Sequence, residues 1–246
     1  MKKLLITYYH EVVKKGEGAT YQKIEEEKFE AQMRYLQEQG YTSLFFSELG
    51  KPLPEKAVIV SFDDGFRSVY ENAAPIMQKY GIKGNIYLPT AYIGNDEKFM
   101  DWDMVRALQD KGFEMQAHTH THADIRALSA EDMQREVETS KACFTRELGK
   151  APCAICLPFG TYDGRSLRLL KKTGGYRYIL ASFYGRVGQC KLKKGGLLPR
   201  IGISDTDGIE VFEKKLKGKL SWKGPMQRAR LFLHNIKGDK IRKYEY

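Results

Sequence analysis

A chain of 246 residues, 42% hydrophobic and 29% charged, has the balance of a soluble protein with a sizeable core, as one large α/β domain or two small ones. No stretch approaches the roughly 18–20 apolar residues that a membrane helix needs, which excludes a spanning segment of that kind. The formal charge of +10 is uneven: residues 1–185 hold 25 basic and 25 acidic side chains, whereas residues 186–246 hold 16 against 6. The C-terminal quarter could therefore associate weakly with an anionic surface, polymer or phosphate-bearing lipid, with a solvated lysine-rich face as the plainer reading. No nucleic-acid recognition motif accompanies the charge, so no nucleic-acid partner is expected.

The chain opens with two lysines and a few apolar residues, like the start of a secretion signal. The apolar part is too short, and His10-Glu11 interrupts it, so Lys3–Tyr8 reads as a first strand. A cytoplasmic location, at most peripheral to a membrane, is the corresponding expectation. Glu25–Gln39 reads as a helix with Phe29, Met33 and Leu36 on one face and Gly40 as its stop. Short strands are expected at Ser43–Phe46 and Ala57–Phe62, a helix at Tyr70–Lys79, a strand at Gly84–Leu88 and a helix at Asp101–Gln109. Gly112–Ala117 reads as a strand running into a group of histidines. Ser129, with Asp132 three residues on, caps a helix that carries Met133, Val137, Phe144 and Leu148 at helical spacing. Ala154–Leu157 is a strand, Ser166–Lys172 a helix closed by Gly174-Gly175, Tyr178–Ala181 a strand, Leu197–Ile203 a strand, Gly208–Leu216 a helix and Ala229–Leu233 a last strand. Lys217–Arg228 is the least regular stretch and reads as a loop.

Strand and helix alternate along nearly the whole chain. That points to parallel βα units, hence a doubly wound sheet or a barrel. With no low-complexity linker and no fixed repeat, residues 1–246 are expected to form a single domain. The four cysteines, Cys143, Cys153, Cys156 and Cys190, are too few for a disulfide scaffold. Cys153-Ala154-Ile155-Cys156 has redox or zinc spacing, but its apolar centre suits a buried strand better.

Val58-Ile59-Val60-Ser61-Phe62-Asp63-Asp64-Gly65 carries the strongest chemical signal. A β-branched apolar run, the mark of a strand covered on both faces, ends in two adjacent carboxylates and a glycine. Two ionised carboxylates in a low-dielectric site repel each other and lose hydration, and a divalent cation offsets both costs. The competing reading is a surface turn. Of five histidines, three fall in Ala117-His118-Thr119-His120-Thr121-His122. On a helical turn, the spacing of four between His118 and His122 puts both rings on one face, where they can share a metal, and sends His120 elsewhere. Two histidines and one carboxylate leave coordination positions open, the catalytic rather than the structural pattern.

On these residues the sequence resembles the polysaccharide deacetylase family, also called carbohydrate esterase family four. Ser61-Phe62-Asp63-Asp64-Gly65 is similar to its first motif, His118-Thr119-His120-Thr121-His122 to its second, and Leu157-Pro158-Phe159-Gly160 to its third. The likeness runs from about Lys3 to about Ile203. It implies a distorted (β/α) barrel of about seven parallel strands. Asp63 is implied as general base, and Asp64, His118 and His122 as ligands of a divalent metal, zinc (Zn2+) first, with cobalt or nickel as alternatives. The implied oxyanion donor is the Phe159 backbone N–H.

Two departures stand out. Most of the family has an arginine two residues before the motif proline, where this chain has Cys156. The C-terminal Leu-x-His that supplies the general acid is matched only loosely by Leu231-Phe232-Leu233-His234. Thr7-Tyr8-Tyr9-His10-Glu11 instead resembles the poly-N-acetylglucosamine deacetylase branch, which favours His10 over His234 as the acid. Arg200, in Leu198-Pro199-Arg200-Ile201, resembles the same branch and is expected to stand near the base in place of the missing arginine.

The implied reaction is metal-dependent removal of an acetyl group from an N-acetylated sugar of a glycan or glycan precursor. Amide hydrolysis needs an activated water, a stabilised oxyanion and a proton for the departing amine. A metal, Asp63, the Phe159 N–H and His10 divide that work. An O-acetyl esterase or a cyclic-amide hydrolase on the same scaffold, or a glycan-binding protein without turnover, are the competing readings. The intact Asp63, Asp64, His118 and His122 argue against the last.

Overall fold

The computed structural model describes residues 2–18, 20 and 22–237, with side chains described as far as Leu231. The chain opens with β1 (Lys3–Tyr9), a small parallel pair β2 (Glu11–Val13) and β3 (Lys23–Glu25), α1 (Glu26–Glu38) and β4 (Thr42–Ser43). Next come β5 (Ala57–Phe62), α2 (Ala74–Lys79), β6 (Gly84–Leu88), α3 (Trp102–Asp110), β7 (Glu114–Ala117) and α4 (Ala130–Leu148). The remainder is β8 (Ala154–Cys156), α5 (Gly164–Gly174), β9 (Tyr178–Ala181), β10 (Val187–Gly188), α6 (Gln189–Lys194), β11 (Gly196–Pro199), β12 (Ile201–Gly202), α7 (Ile209–Leu216) and α8 (Lys223–Lys237).

Strands β1, β5, β6, β7, β8 and β9 pair in that order, each parallel to the next. β11 then pairs with β9, and β12 pairs with β1. The short stretch Gly196–Gly202 thus hands over from one end of the sheet to the other and closes a distorted (β/α) barrel. The handover falls at Arg200, whose N–H donates to the Ala181 carbonyl at 3.1 Å, while the Ile203 N–H donates to Tyr8 at 2.9 Å.

The period-two alternation of the strands separates two cores. Val58, Val60 and Phe62 join Phe29, Met33, Leu36 and the other helix residues in an outer layer. Ala57 and Ile59 join Leu4, Ile6, Tyr87, Cys156, Leu180 and Leu198 in an inner one. Both faces of β5 and β6 are buried, which is why these strands read as near-continuous apolar runs. The helices begin where caps allow: the Asp101 carboxylate accepts from the Met104 N–H at 2.8 Å, and Ser129 Oγ from the Asp132 N–H at 3.0 Å. α4 ends at Gly149, with φ 71°.

Several elements differ from the expectations. Ala229–Leu233 belongs to α8 rather than to a strand, and α8 also takes up the second half of Lys217–Arg228, expected as a loop. Good helix formers follow Pro225, which lies in the first turn, where its missing N–H costs nothing. Leu197–Ile203 is broken at Arg200 because its two halves have different neighbours. The strand expected to reach Phe46 stops at Ser43. The Phe46 and Ser47 N–H groups instead donate to the buried Glu114 carboxylate, at 2.8 and 3.4 Å.

Phe29 on α1 meets Tyr9 and Phe62 edge-on, with ring centroids 5.2 and 5.8 Å away, and is completely buried. Phe29→Ala is expected to lower stability by about 3–5 kcal/mol. Urea unfolding followed by circular dichroism checks this; a loss below about 1 kcal/mol would mean that the helix does not depend on this contact.

Candidate metal centre

The inner register of β5 runs Ala57, Ile59, Ser61 and then Asp63. At Asp64 the backbone turns left-handed, with φ 70°, and Gly65 follows with φ 70°. A Cβ at Gly65 would lie 2.9 Å from the side chains of both Ile93 and Leu88, so only glycine fits there. This turn sends the two neighbouring carboxylates to different partners.

Asp64 Oδ1 lies 3.2 Å from His118 Nε2 and 3.2 Å from His122 Nε2. His118 Nδ1–H donates to the Cys156 carbonyl at 2.9 Å, and a carbonyl can only accept. Nδ1 therefore carries a proton, and Nε2 is the ring atom that faces Asp64. The two histidines do not share a helical turn, as their spacing suggested. The loop after β7 is irregular, and the rings converge because Thr119 and His122 both take positive φ, 63° and 58°. Glu136 of α4 holds that loop: its carboxylate accepts the N–H groups of His120 and Thr121 at 2.8 and 2.9 Å and the Thr121 hydroxyl at 2.7 Å. No short-range pattern in the sequence marks Glu136 for this task. His120 turns away, with its Nδ1 against Thr90 Oγ1 at 2.8 Å.

Asp64, His118 and His122 offer three donor atoms within 4.8 Å of one another, all from buried residues. One carboxylate oxygen facing two imidazole nitrogens suits a divalent cation with open positions. Burial pushes the Asp64 carboxyl up, but hydrogen bonding to the two imidazoles more than offsets it and keeps the group well below the usual carboxylate range. Burial pushes the His122 imidazole down, toward the neutral form that ligates metals. A second grouping, Asp63, His118 and Cys156, meets the same distance limit. It suits a cation poorly, because Asp63 is already paired and His118 Nδ1 already donates.

That pairing is with Arg200. Its Nη1 and Nη2 donate to Asp63 Oδ1 and Oδ2 at 2.6 and 2.8 Å, and the side chains are 1% and 6% exposed. The guanidinium lies over the Tyr8 ring, 4.3 Å from its centroid, and 5.2 Å from that of Tyr87. Burial alone would raise the Asp63 carboxyl; the charge and hydrogen bonds of Arg200 outweigh it and hold the group below its ordinary range. Cys156 Sγ–H approaches Asp63 Oδ2 at 3.6 Å, a contact that the sequence did not suggest.

The remaining expected residues border the same space. His10 Nε2 lies 3.9 Å from Asp64 Oδ2. Phe159 takes φ 60°, and its ring packs 4.9 Å from that of His122. At Gly160, φ 65° and a Cβ position 2.3 Å from Ser182 Cβ admit only glycine. His10, Asp63, Asp64, His118, His122 and Phe159 all line one cavity of about 510 Å³. The side chain of His234 lies outside the described residues.

The sequence model for polysaccharide deacetylases matches residues 50–179, just over half of the chain. Asp63, Asp64, His118, His122 and Phe159 fall within this span; His10 and Arg200 fall outside it. YxkH of Bacillus subtilis, whose name places it among the polysaccharide deacetylases, is 28% identical over 179 residues, covering 70% of this chain and 62% of its own. The poly-beta-1,6-N-acetyl-D-glucosamine N-deacetylase of Staphylococcus aureus is 26% identical over 174 residues, covering 61% and 58%. The chain thus matches only about three fifths of the length of these relatives. Among solved structures, a polysaccharide deacetylase from Bacillus cereus superposes with a TM-score of 0.79 at 26% identity, over 87% of this chain and 69% of the other.

His122→Ala is expected to weaken zinc binding by at least about tenfold, read by competition with a chromophoric chelator. Unchanged affinity would reject the site. A second prediction concerns Asp63. Its depressed carboxyl stabilises the fold above about pH 4, and that contribution is lost as pH falls through the folded value. Arg200→Leu removes the main opposition to burial at Asp63, which shifts the carboxyl upward, with only the weaker pull of His118 and His10 left against it. The variant should then lose roughly 3–5 kcal/mol near neutral pH, and the deficit should shrink on acidification as Asp63 protonates. Urea unfolding at about pH 7 and about pH 4 reads both, and a deficit that grows on acidification would contradict the pairing.

Proposed function

The chain belongs to the polysaccharide deacetylase family, and on that premise we propose that it removes the acetyl group from N-acetylglucosamine units of a glycan. The observation that carries the reading is the separation of two adjacent carboxylates. Asp64 faces His118 and His122, while Asp63 is locked to Arg200 on the same cavity wall. One carboxylate is committed to a cation and the other to a proton.

Zinc is the first candidate for the cation; when bound, it supplies Lewis acidity, which makes water nucleophilic near neutral pH and polarises the acetyl carbonyl. Asp63 takes the proton of the attacking water. Arg200 fixes both carboxylate oxygens and keeps them ionised, at some cost in basicity. The Phe159 N–H sits in a left-handed turn at the cavity, where donation to the developing oxyanion would contribute roughly 3 kcal/mol. His10 stands on the same wall and delivers a proton to the departing amine. Its ring meets that of Tyr8 edge-on, with centroids 5.7 Å apart, which orients it. The name of the Staphylococcus aureus relative supports a β-1,6-linked N-acetylglucosamine polymer as the first substrate to try.

Asp63→Asn is expected to keep its metal and lose about 10²–10⁴-fold in acetate release from N-acetylglucosamine oligomers. Full turnover would remove Asp63 as the base. His10→Ala and His234→Ala, assayed in parallel, assign the acid: loss confined to His10→Ala is expected, and loss confined to His234→Ala would transfer the role.

A further inference from the structure

Beside the catalytic cavity lies a second one of about 700 Å³, within the range of roughly 300–1,000 Å³ common for ligand sites. Three separate segments run directly from the first to the second. Gly160 lines the first and Tyr162 the second, Ser182 and then Phe183, Gln227 and then Arg228. The two cavities are therefore neighbours along three walls at once. Gln227 ties two of those walls together, its Oε1 accepting the Tyr184 N–H at 2.7 Å. α8 is seated close against this wall: a Cβ at Gly224 would stand 2.2 Å from the Tyr184 carbonyl oxygen.

The second cavity is aromatic and cationic. The rings of Tyr162 and Phe183 have centroids 6.5 Å apart. The Arg228 guanidinium lies 5.5 Å from the Phe183 ring. Outside the lining, Lys223 Nζ stands 5.9 Å from the Tyr184 ring and 5.8 Å from that of Trp222, which is 60% exposed. The one acid on its lining, Asp163, is engaged as the cap of α5, accepting the Ser166 N–H at 2.6 Å.

We propose that this second cavity holds the sugar units flanking the one that is deacetylated, and that it prefers units still carrying their acetyl groups. The inference rests on the deacetylase reading above. A pyranose offers an apolar C–H face that stacks on aromatic rings, while its hydroxyl and acetamide oxygens accept from cationic donors. Phe183 and Tyr162 supply the first contact; Arg228 supplies the second. A deacetylated unit is an ammonium near neutral pH and meets the Arg228 guanidinium with like charge. A polymer therefore spans both cavities, a free monosaccharide occupies only the first, and product units are disfavoured in the second.

The test measures binding rather than turnover. The full-length, zinc-loaded Asp63→Asn chain is titrated calorimetrically with a β-1,6-linked N-acetylglucosamine tetramer and with the monosaccharide. Phe183→Ala and Arg228→Ala, added singly, are expected to weaken tetramer binding about tenfold and to leave the monosaccharide unchanged. The fully deacetylated tetramer should bind more weakly than the acetylated one, and Arg228→Glu should reverse that order. Arg228 is exposed, so its variants keep the fold even if Phe183→Ala does not. Tetramer affinity that is indifferent to every one of these changes, or a wild-type chain that binds no tetramer, overturns the proposal. Acetate release by the unmodified chain is assayed separately. Release with groove-independent binding defeats the groove alone, and groove-dependent binding without release defeats the deacetylase reading alone.

Discussion

The pairing of Asp63 with Arg200 is the constraint on which the rest of the site depends. A carboxylate at the inward end of β5 is almost wholly withdrawn from bulk water, and its desolvation must be offset within the barrel. A bidentate guanidinium does this with both oxygens, and the rings of Tyr8 and Tyr87 pack against the guanidinium. Arg200 comes from the residue at which β11 gives way to β12, so closing the barrel and charging the site are one event. This also accounts for Cys156. The neighbouring strand end is already filled by a guanidinium from across the barrel, and a small thiol at 3.6 Å is what the remaining space accepts. Two arginines there would face one carboxylate in low dielectric.

The strained backbone of the molecule lies at the same place. Among the described residues, the non-glycine positions with positive φ are Asp64, Thr119, His122 and Phe159. All four sit in loops that leave the C-terminal ends of β5, β7 and β8. Such conformations persist only where surroundings over-determine them. Here the surroundings are visible: Gly65 is wedged against Leu88 and Ile93, Glu136 holds the His120-Thr121 backbone, and Gly160 is pressed on Ser182. The strain is what lets adjacent residues face different ways, so that Asp63 and Asp64 do not compete for one partner.

Much of this was legible in the sequence. The β-branched run ending in Asp63-Asp64-Gly65 announced a strand with chemistry at its end, and alternating strand and helix announced parallel units. Lys3–Tyr9, Ala57–Phe62 and Gly84–Leu88 follow from burial on both faces, a signal carried by composition alone. What stayed hidden depends on long-range geometry. Leu231-Phe232-Leu233 is as apolar as a strand, and only the helix formers around it place it in α8. The break at Arg200 reflects a change of neighbour that no local pattern records. His118 and His122 do meet, but through left-handed residues rather than a helical turn, and Glu136 bears no mark of its role until α4 packs against their loop. Resemblance placed Arg200 near Asp63, but neither resemblance nor periodicity carries the bidentate geometry.

The division of labour has a consequence for how the parts are coupled. Asp64, His118 and His122 follow the ends of β5 and β7, strands of a continuous parallel sheet with Ile155, Leu157 and the outer helices behind it. The partner of Asp63 is the single residue between two short strands, held by Arg200 N–H to Ala181 and Ile203 N–H to Tyr8. Short strands with few ladder bonds open more readily than central ones. Opening there would release the guanidinium while Asp64, His118 and His122 keep their places. A buried carboxylate left without its cation then favours its protonated form, which cannot accept a proton from water. On the proposed roles, Asp63 would serve as base only while the barrel is closed. The segment carrying Arg200 leads on to α7 and α8, and α8 lines both cavities through Gln227 and Arg228. A ligand seated along α8 would therefore touch the same run of chain that supplies the partner of Asp63.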